Sequence, residues 1–189
     1  KSKEKWVRGY RSIRPEDDTS KFVANILVER LPEWEALDIV PTELVPTDIN
    51  DDRPIQYGMP KWRDLFGPRQ LVGHCIAVEV YRQMIDEEKA AGRWSEELAA
   101  AFVYLALSLD KMLNYNSRMS VWMSTREVIA NTFNRHDFAF CWSHAEMAPM
   151  RVGLGYEWAF GQTAKCISEL LDLARPDAKD ALIPQAGLA

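Results

Sequence analysis

Between Asn114 and Pro149 the chain collects side chains that hydrogen-bond in a fixed plane. Asn114, Asn116, Arg118, Arg126, Asn131, Asn134 and Arg135 stand there, interleaved with His136, His144, Glu146 and the indoles of Trp122 and Trp142. No lysine occurs in the stretch. Guanidinium and amide groups present donors in set directions, which suits phosphate oxygens and base edges. Arginine is also the cation preferred at buried or interfacial sites, because its charge is weakly hydrated. Two readings are open at this point. In the first, Arg118, Arg126 and Arg135 pair with Asp110, Glu127 and Asp137, and both tryptophans are core. Against part of this, Arg126 and Glu127 are adjacent, and adjacent residues on a helix do not face each other. In the second, the set forms a surface that hydrogen-bonds nucleic acid or a neighbouring domain.

A second constellation is His144 with Glu146. Two residues apart in an extended chain, they share one face. Such a pair transfers protons in many enzymes, but it needs a nucleophile or metal beside it. No motif in the sequence supplies either. The chain holds no phosphate-binding GxxxxGK[ST], no GxSxG and no Cys/His set with zinc spacing. The Gly153-Leu154-Gly155 triplet lacks the spacing of a dinucleotide loop and reads as a helix-entry turn. His74 falls within a long helical pattern and reads as a partly buried helix residue.

The whole chain sets the frame for these residues. Its 189 residues suffice for one domain with a sizeable core, and an apolar share of 47% with 27% charged is ordinary for a globular protein. The net charge is −5, whereas free-standing DNA binders are usually basic. Any DNA contact must come from a local patch or from another part of a larger protein. Cys75, Cys141 and Cys166 are odd in number and widely spaced, which fits free thiols in a reducing, cytoplasmic setting. The longest apolar run, Leu98 to Leu107, is too short to span a bilayer. Beginning at Lys1 and stopping at "LIPQAGLA", the sequence reads as a fragment of a longer protein.

The elements that must position the polar stretch follow from periodicity. A short helix is expected from Asp18 to Leu31, capped by Thr19 or Ser20 and ended by Pro32. Prolines 41, 46, 54 and 60 make residues 38–60 an extended loop with at most short edge strands. Pro68 opens a helix over about 68–91, stopped by Gly92. Ser95, followed by Glu96 and Glu97, opens a second helix to about Leu113. Its "LAAAFVYLAL" is apolar all round, so it is expected to be the central buried helix. "STREVIANTF" (124–133) reads as a short third helix capped by Ser124 or Thr125, and "FAFCW" (138–142) as a single strand. A last helix is expected over about 156–174, where Phe160, Ala164, Ile167, Leu171 and Ala174 follow a 3.6 period. The fold class is therefore mainly α, with four to five helices and one or two short strands. Residues 1–60 are an irregular N-terminal segment with a short helix, 61–176 a helical domain, and 177–189 a loose tail.

Two stretches carry a resemblance. "QYGMPKWRDLFGPRQLVGH" (56–74) and "ALSLDKMLNYNSRMSVWMSTREVIANTFNRHDFAFCWSHAEMAP" (106–149) resemble the large adenine-specific DNA methylases that have an N-terminal domain of unknown function and are often encoded in anti-phage defence islands. The matching positions are Tyr57, Gly58, Met59, Trp62, Asp64, Leu65, Phe66, Pro68, Arg69, Gln70 and Leu71. They continue with Asp110, Lys111, Asn114, Asn116, Trp122, Thr125, Arg126, Asn131, Thr132, Phe133, Trp142, Ala145 and Glu146. Several motifs in order, over about residues 40–175, make the resemblance fairly specific. The chain departs from the family pattern at Ala148, where an asparagine is common, and at Gly67, where threonine or asparagine is common.

The resemblance implies a parent enzyme that uses S-adenosylmethionine and methylates adenine N6 in DNA. It also marks what is missing here. Members carry a cofactor loop near Asp-Pro-Phe-x-Gly-x-Gly and a catalytic Asp-Pro-Pro-Tyr, and this chain has neither. It resembles the helical segment between those motifs, with no catalytic, cofactor or metal residue of its own. Residue type and family position then give Lys61, Arg63, Arg69, Asn114, Asn116, Arg118, Arg126, Asn131 and Arg135 as candidates for DNA contact. The implied partners are DNA, the methylase core domain and other proteins of a defence system, with no membrane. The alternative is a structural or protein-interaction module without direct DNA contact.

Overall fold

The computed structural model describes residues 9–47, 51–134, 137–150 and 155–174. Among these, five helices carry the architecture: α1 (Ser20–Ala36), α2 (Arg53–Gln56), α3 (Pro68–Ala90), α4 (Glu96–Tyr115) and α5 (Gly155–Leu173). Strands β1 (Val121–Met123) and β2 (Val128–Ala130) form one antiparallel hairpin between α4 and α5, with Val121 opposite Ala130. The fold is mainly α, as the periodicity predicts.

The long helices start and stop where their end residues dictate. Pro68 occupies the first turn of α3, where its missing N–H costs nothing. The Gln70 side chain accepts the Gly67 N–H at 2.8 Å, which closes that end. Gly92, at φ +68°, turns the chain out of α3 in the left-handed region that glycine enters freely. Ser95 Oγ then accepts the Leu98 N–H at 3.2 Å and caps α4, with Glu96 and Glu97 at its positive end.

Two apolar clusters hold the helices. Val23 and Trp34 of α1, Val40 beyond it, and Val72 and Cys75 of α3 form the first. Met112 of α4 with Tyr156 and Ala159 of α5 form the second, and Ala77 of α3 packs against it. Ser108 Oγ donates to Thr163 Oγ1 at 2.8 Å, a polar crosslink between α4 and α5.

Five expectations need correction. The first helix does not stop at Pro32. It runs to Ala36 with Pro32 inside it, because Trp34 in the following turn is fully buried in the first cluster. That packing outweighs the backbone bond that proline removes. Residues 38–60 are not loop throughout: α2 interrupts them, and Leu44 pairs with Lys61 in an isolated antiparallel bridge. α4 is not buried all round. Val103 is 61% exposed and Leu107 52%, while Phe102, Ser108 and Met112 face inward. Helices α3 and α5 flank α4 and leave that third face uncovered among the described residues.

The remaining two corrections concern the polar stretch. Residues 124–133 are not a helix. Val121, Val128 and Ile129 are β-branched and pair across the hairpin, and Glu127 takes φ +51° in its turn, which no right-handed helix contains. Thr132–Asn134 follow as one 3-10 turn. "FAFCW" pairs with no strand among the described residues.

Candidate functional site

The loop after α4 is pinned by buried polar groups. Asn116, Ser117, Ser120 and Thr132 are buried, as are Gln70 and His74 on the facing side of α3. Gln70 Nε2 donates to Ser117 O at 3.2 Å, and His74 Nε2 lies 3.0 Å from Asn116 O. Because a carbonyl only accepts, that ring nitrogen carries the proton. Burial pushes the His74 pKa down, against the partly opposing bond to Asn116. Ser117 Oγ and Thr132 Oγ1 lie 2.7 Å apart, tying the loop to the far side of the hairpin. The Asn116 amide holds Met147 at both ends, accepting its N–H at 2.6 Å and donating to its carbonyl at 3.1 Å. Backbone bonds complete the frame: Arg118 N–H to Leu65 O, Cys141 N–H to Arg118 O and Ala145 N–H to Ser120 O. Segments 116–120 and 141–147 are thus fixed to each other and to α3.

This frame presents the surface on which the candidates sit. Arg118 is half-buried, and its guanidinium has no hydrogen-bond or ion-pair partner among the described residues. It lines an open groove of about 760 Å³ together with Arg69, Phe140, Trp142, His144 and Glu146, opposite Asp18 and Ser20 of the α1 entry. Arg69 is paired: its Nε donates to Glu146 Oε2 at 2.6 Å. That ion pair lies between the groove and a second cavity of about 350 Å³, which both residues also line with His74, Asn116 and Tyr156. Burial raises the Tyr156 hydroxyl to about 12, so it stays protonated at neutral pH.

The other candidates are spread over the molecule. Arg63 is ion-paired with Glu35 of α1 and only 17% exposed, and that pairing holds the Glu35 carboxyl below its usual range. Lys61 lies at the Leu44 bridge, and its N–H donates to Asp64 at 2.9 Å. Asn114 Oδ1 accepts the Phe133 N–H at 3.2 Å and anchors the turn after β2. Asn131 is half-buried under the hairpin among Met119, Val121 and Ala139. Arg126 stands exposed at the hairpin tip, without a partner among the described residues. Arg135 lies outside the described residues. Of the nine, the structure brings Arg69 and Arg118 to one groove. Asn114 and Asn116 serve to tie loops together, with their side-chain groups engaged by backbone.

His144 and Glu146 do come together, with Nε2 3.6 Å from Oε1, while Oε2 of the same carboxylate is taken by Arg69. No group of three or more His, Cys, Asp or Glu among the described residues is placed to hold a metal. No described helix is long and apolar enough to cross a membrane.

One feature is absent from the candidate set. The "FAFCW" segment is two-sided. Ala139 faces the space beneath the hairpin, and the Cys141 N–H is bonded to the 118 carbonyl. Phe138, Phe140 and Trp142 turn the other way and gather around Tyr57 at centroid distances of 6.1, 5.6 and 6.5 Å. Phe138 and Phe140 lie parallel within 5°, and Trp142 stands across Phe140 at 5.0 Å. The signal was in the sequence as an aromatic at every second residue. Tyr57 could not be joined to it by spacing, being over 80 positions away. Comparisons with family models, with curated proteins and with solved structures find no match to this chain.

Proposed function

We propose that the chain is the non-catalytic helical segment, for DNA recognition or support, of an S-adenosylmethionine-dependent adenine-N6 DNA methyltransferase that works in the cytoplasm. The observation that carries this reading is Arg118. Its guanidinium is unpartnered among the described residues, yet it sits on a loop fixed by buried hydrogen bonds and opens into a groove beside two aromatic rings. An uncompensated arginine held in place by its backbone is suited to meet a phosphate or a base edge. The sequence resemblance supplies the enzyme class, and cofactor and catalytic motif belong to the parent. The test is fluorescence anisotropy of the chain with labelled duplex and single-stranded DNA at low and moderate salt. Binding that weakens with salt and drops in Arg118→Ala and Arg135→Ala supports DNA contact. Absence of binding at low salt refutes it.

A second reading is favoured by a different observation. The uncovered face of α4 carries Val103 and Leu107, and α5 exposes Leu170 and Leu171 at 60% and 63%. Together with the net charge of −5 this suits a module that packs on the methylase core or on another defence protein. Val103→Lys with Leu107→Lys would then abolish association with the core, and the chain by itself would bind no DNA at low salt.

A further inference from the structure

We propose that the row formed by Phe138, Phe140 and Trp142 with Tyr57 is a stacking platform for unpaired nucleobases, and that Arg118 meets the phosphate of the same strand. This rests on the DNA reading above and narrows it from DNA in general to a strand whose bases are out of the duplex.

The geometry of Trp142 carries the inference. Its ring is braced by two near-perpendicular contacts, at 72° to Phe140 and 77° to Tyr57. It is nevertheless 84% exposed. An indole of that size is normally buried or covered, and here two rings stand against it while most of its surface stays open. Tyr57, 52% exposed, continues the same aromatic surface. The backbone beneath is fixed as well. The Phe138 N–H is held by Asp51 at 3.0 Å and the Cys141 N–H by the 118 carbonyl. The platform is therefore preorganised, and a bound ring need not order it.

The chemistry of the occupant follows from the surroundings. Trp142, Phe140 and Arg118 line one groove, so aromatic face and cation are presented together. Base and phosphate are joined in every nucleotide, and unpaired bases stack on such rings without regard to sequence because each has a π-face. Bases within a duplex have both faces covered by their neighbours and cannot use the platform until extruded. The acidic groups near the row are largely committed. Asp51 is held by Arg53 and by the Phe138 N–H; of the acids that line the groove, Glu146 is held by Arg69, Asp17 by Arg11 and Asp18 by the Ser20 N–H. Arg118 is the cation in the groove left without a protein partner among the described residues.

The test measures anisotropy of labelled oligodeoxythymidylate and of a blunt duplex with the chain, at low salt, for wild type, Trp142→Ala, Trp142→Phe and Arg118→Ala. Wild type should bind the single strand more tightly than the duplex. Trp142→Ala should weaken single-strand binding about 5- to 150-fold, the range for loss of one base–aromatic stack. Trp142→Phe should recover most of it, and duplex binding should change little in either. Because Trp142 is exposed, circular dichroism should show the variants folded. Single-strand affinity unchanged in Trp142→Ala overturns the platform, while duplex binding that still depends on Arg118 would leave the DNA reading standing. No binding of either nucleic acid at low salt overturns both.

Discussion

Asn116 grips Met147 by both backbone groups, taking its N–H at 2.6 Å and giving a hydrogen to its carbonyl at 3.1 Å. One side chain thereby does what a β-bridge does, across 31 residues. The segment carrying His144 and Glu146 is set in place by this contact and by Ala145 on Ser120.

Asn116→Ala would leave two partly buried backbone groups without partners. The expected loss is about 2 kcal/mol of stability, seen as a lower urea midpoint with unchanged slope. Asn116→Asp keeps the acceptor for the Met147 N–H but sets a second acceptor, and a buried charge, against the Met147 carbonyl, so its loss should be at least as large.

Gly155 enters α5 at φ +61°, and a Cβ there would stand 2.1 Å from the Pro149 carbonyl oxygen. That carbonyl also accepts the Tyr156 N–H at 2.9 Å, so it cannot move away without losing a bond. Gly155→Ala should cost at least about 2 kcal/mol, from the left-handed conformation and the clash together, and lower Tm accordingly.

His74 gives the fold a pH dependence of known sign. Burial lowers its folded pKa below the value of about 6.5 expected in the unfolded chain. Between the two values the unfolded state binds more protons, so stability rises with pH. The contribution is complete above the unfolded pKa and is lost as pH falls below it toward the folded value. Denaturation midpoints measured from neutral to mildly acidic pH should decline below about pH 6.5, and His74→Gln should flatten that decline.

Arg69 and Glu146 form a pair whose arginine is 58% exposed, so it adds under about 1 kcal/mol to stability. Arg69→Met should therefore leave Tm nearly unchanged. It would uncover the Glu146 carboxylate beside Arg118, and DNA affinity measured by anisotropy should fall more than loss of one distant positive charge would produce.

Where the sequence was legible, local chemistry decided the outcome. Pro68 and Gly92 bracket α3, Ser95 caps α4, and the apolar spacing from Phe160 to Leu171 marks α5; all three helices stand within about two residues of expectation. Where it was not, the deciding partner lay far off in sequence. The hairpin at 121–130 was concealed because Ser124 and Thr125 resemble a helix cap, whereas cross-strand pairing and the left-handed Glu127 settle it. Pro32 looked like a stop because Trp34's burial against Val72 and Cys75 has no local signature. Residue type singles out both Arg69 and Arg118, but it does not say that one is neutralised by Glu146 and the other is not. Gln70 and His74 acquire their roles from carbonyls 47 and 42 residues away.

The two-sided segment at 138–142 has an evolutionary consequence. Its odd positions, Ala139 and Cys141, are tied to the hairpin and the 118 loop, while its even positions carry the rings. Trp142, mostly in solvent, adds little to the cores around Trp34 and Met112. Selection can therefore exchange the outermost ring, and with it whatever this face favours, without renegotiating the scaffold. A ring kept at position 142 across related chains would then mark retained binding rather than retained fold, and positions 139 and 141 the reverse.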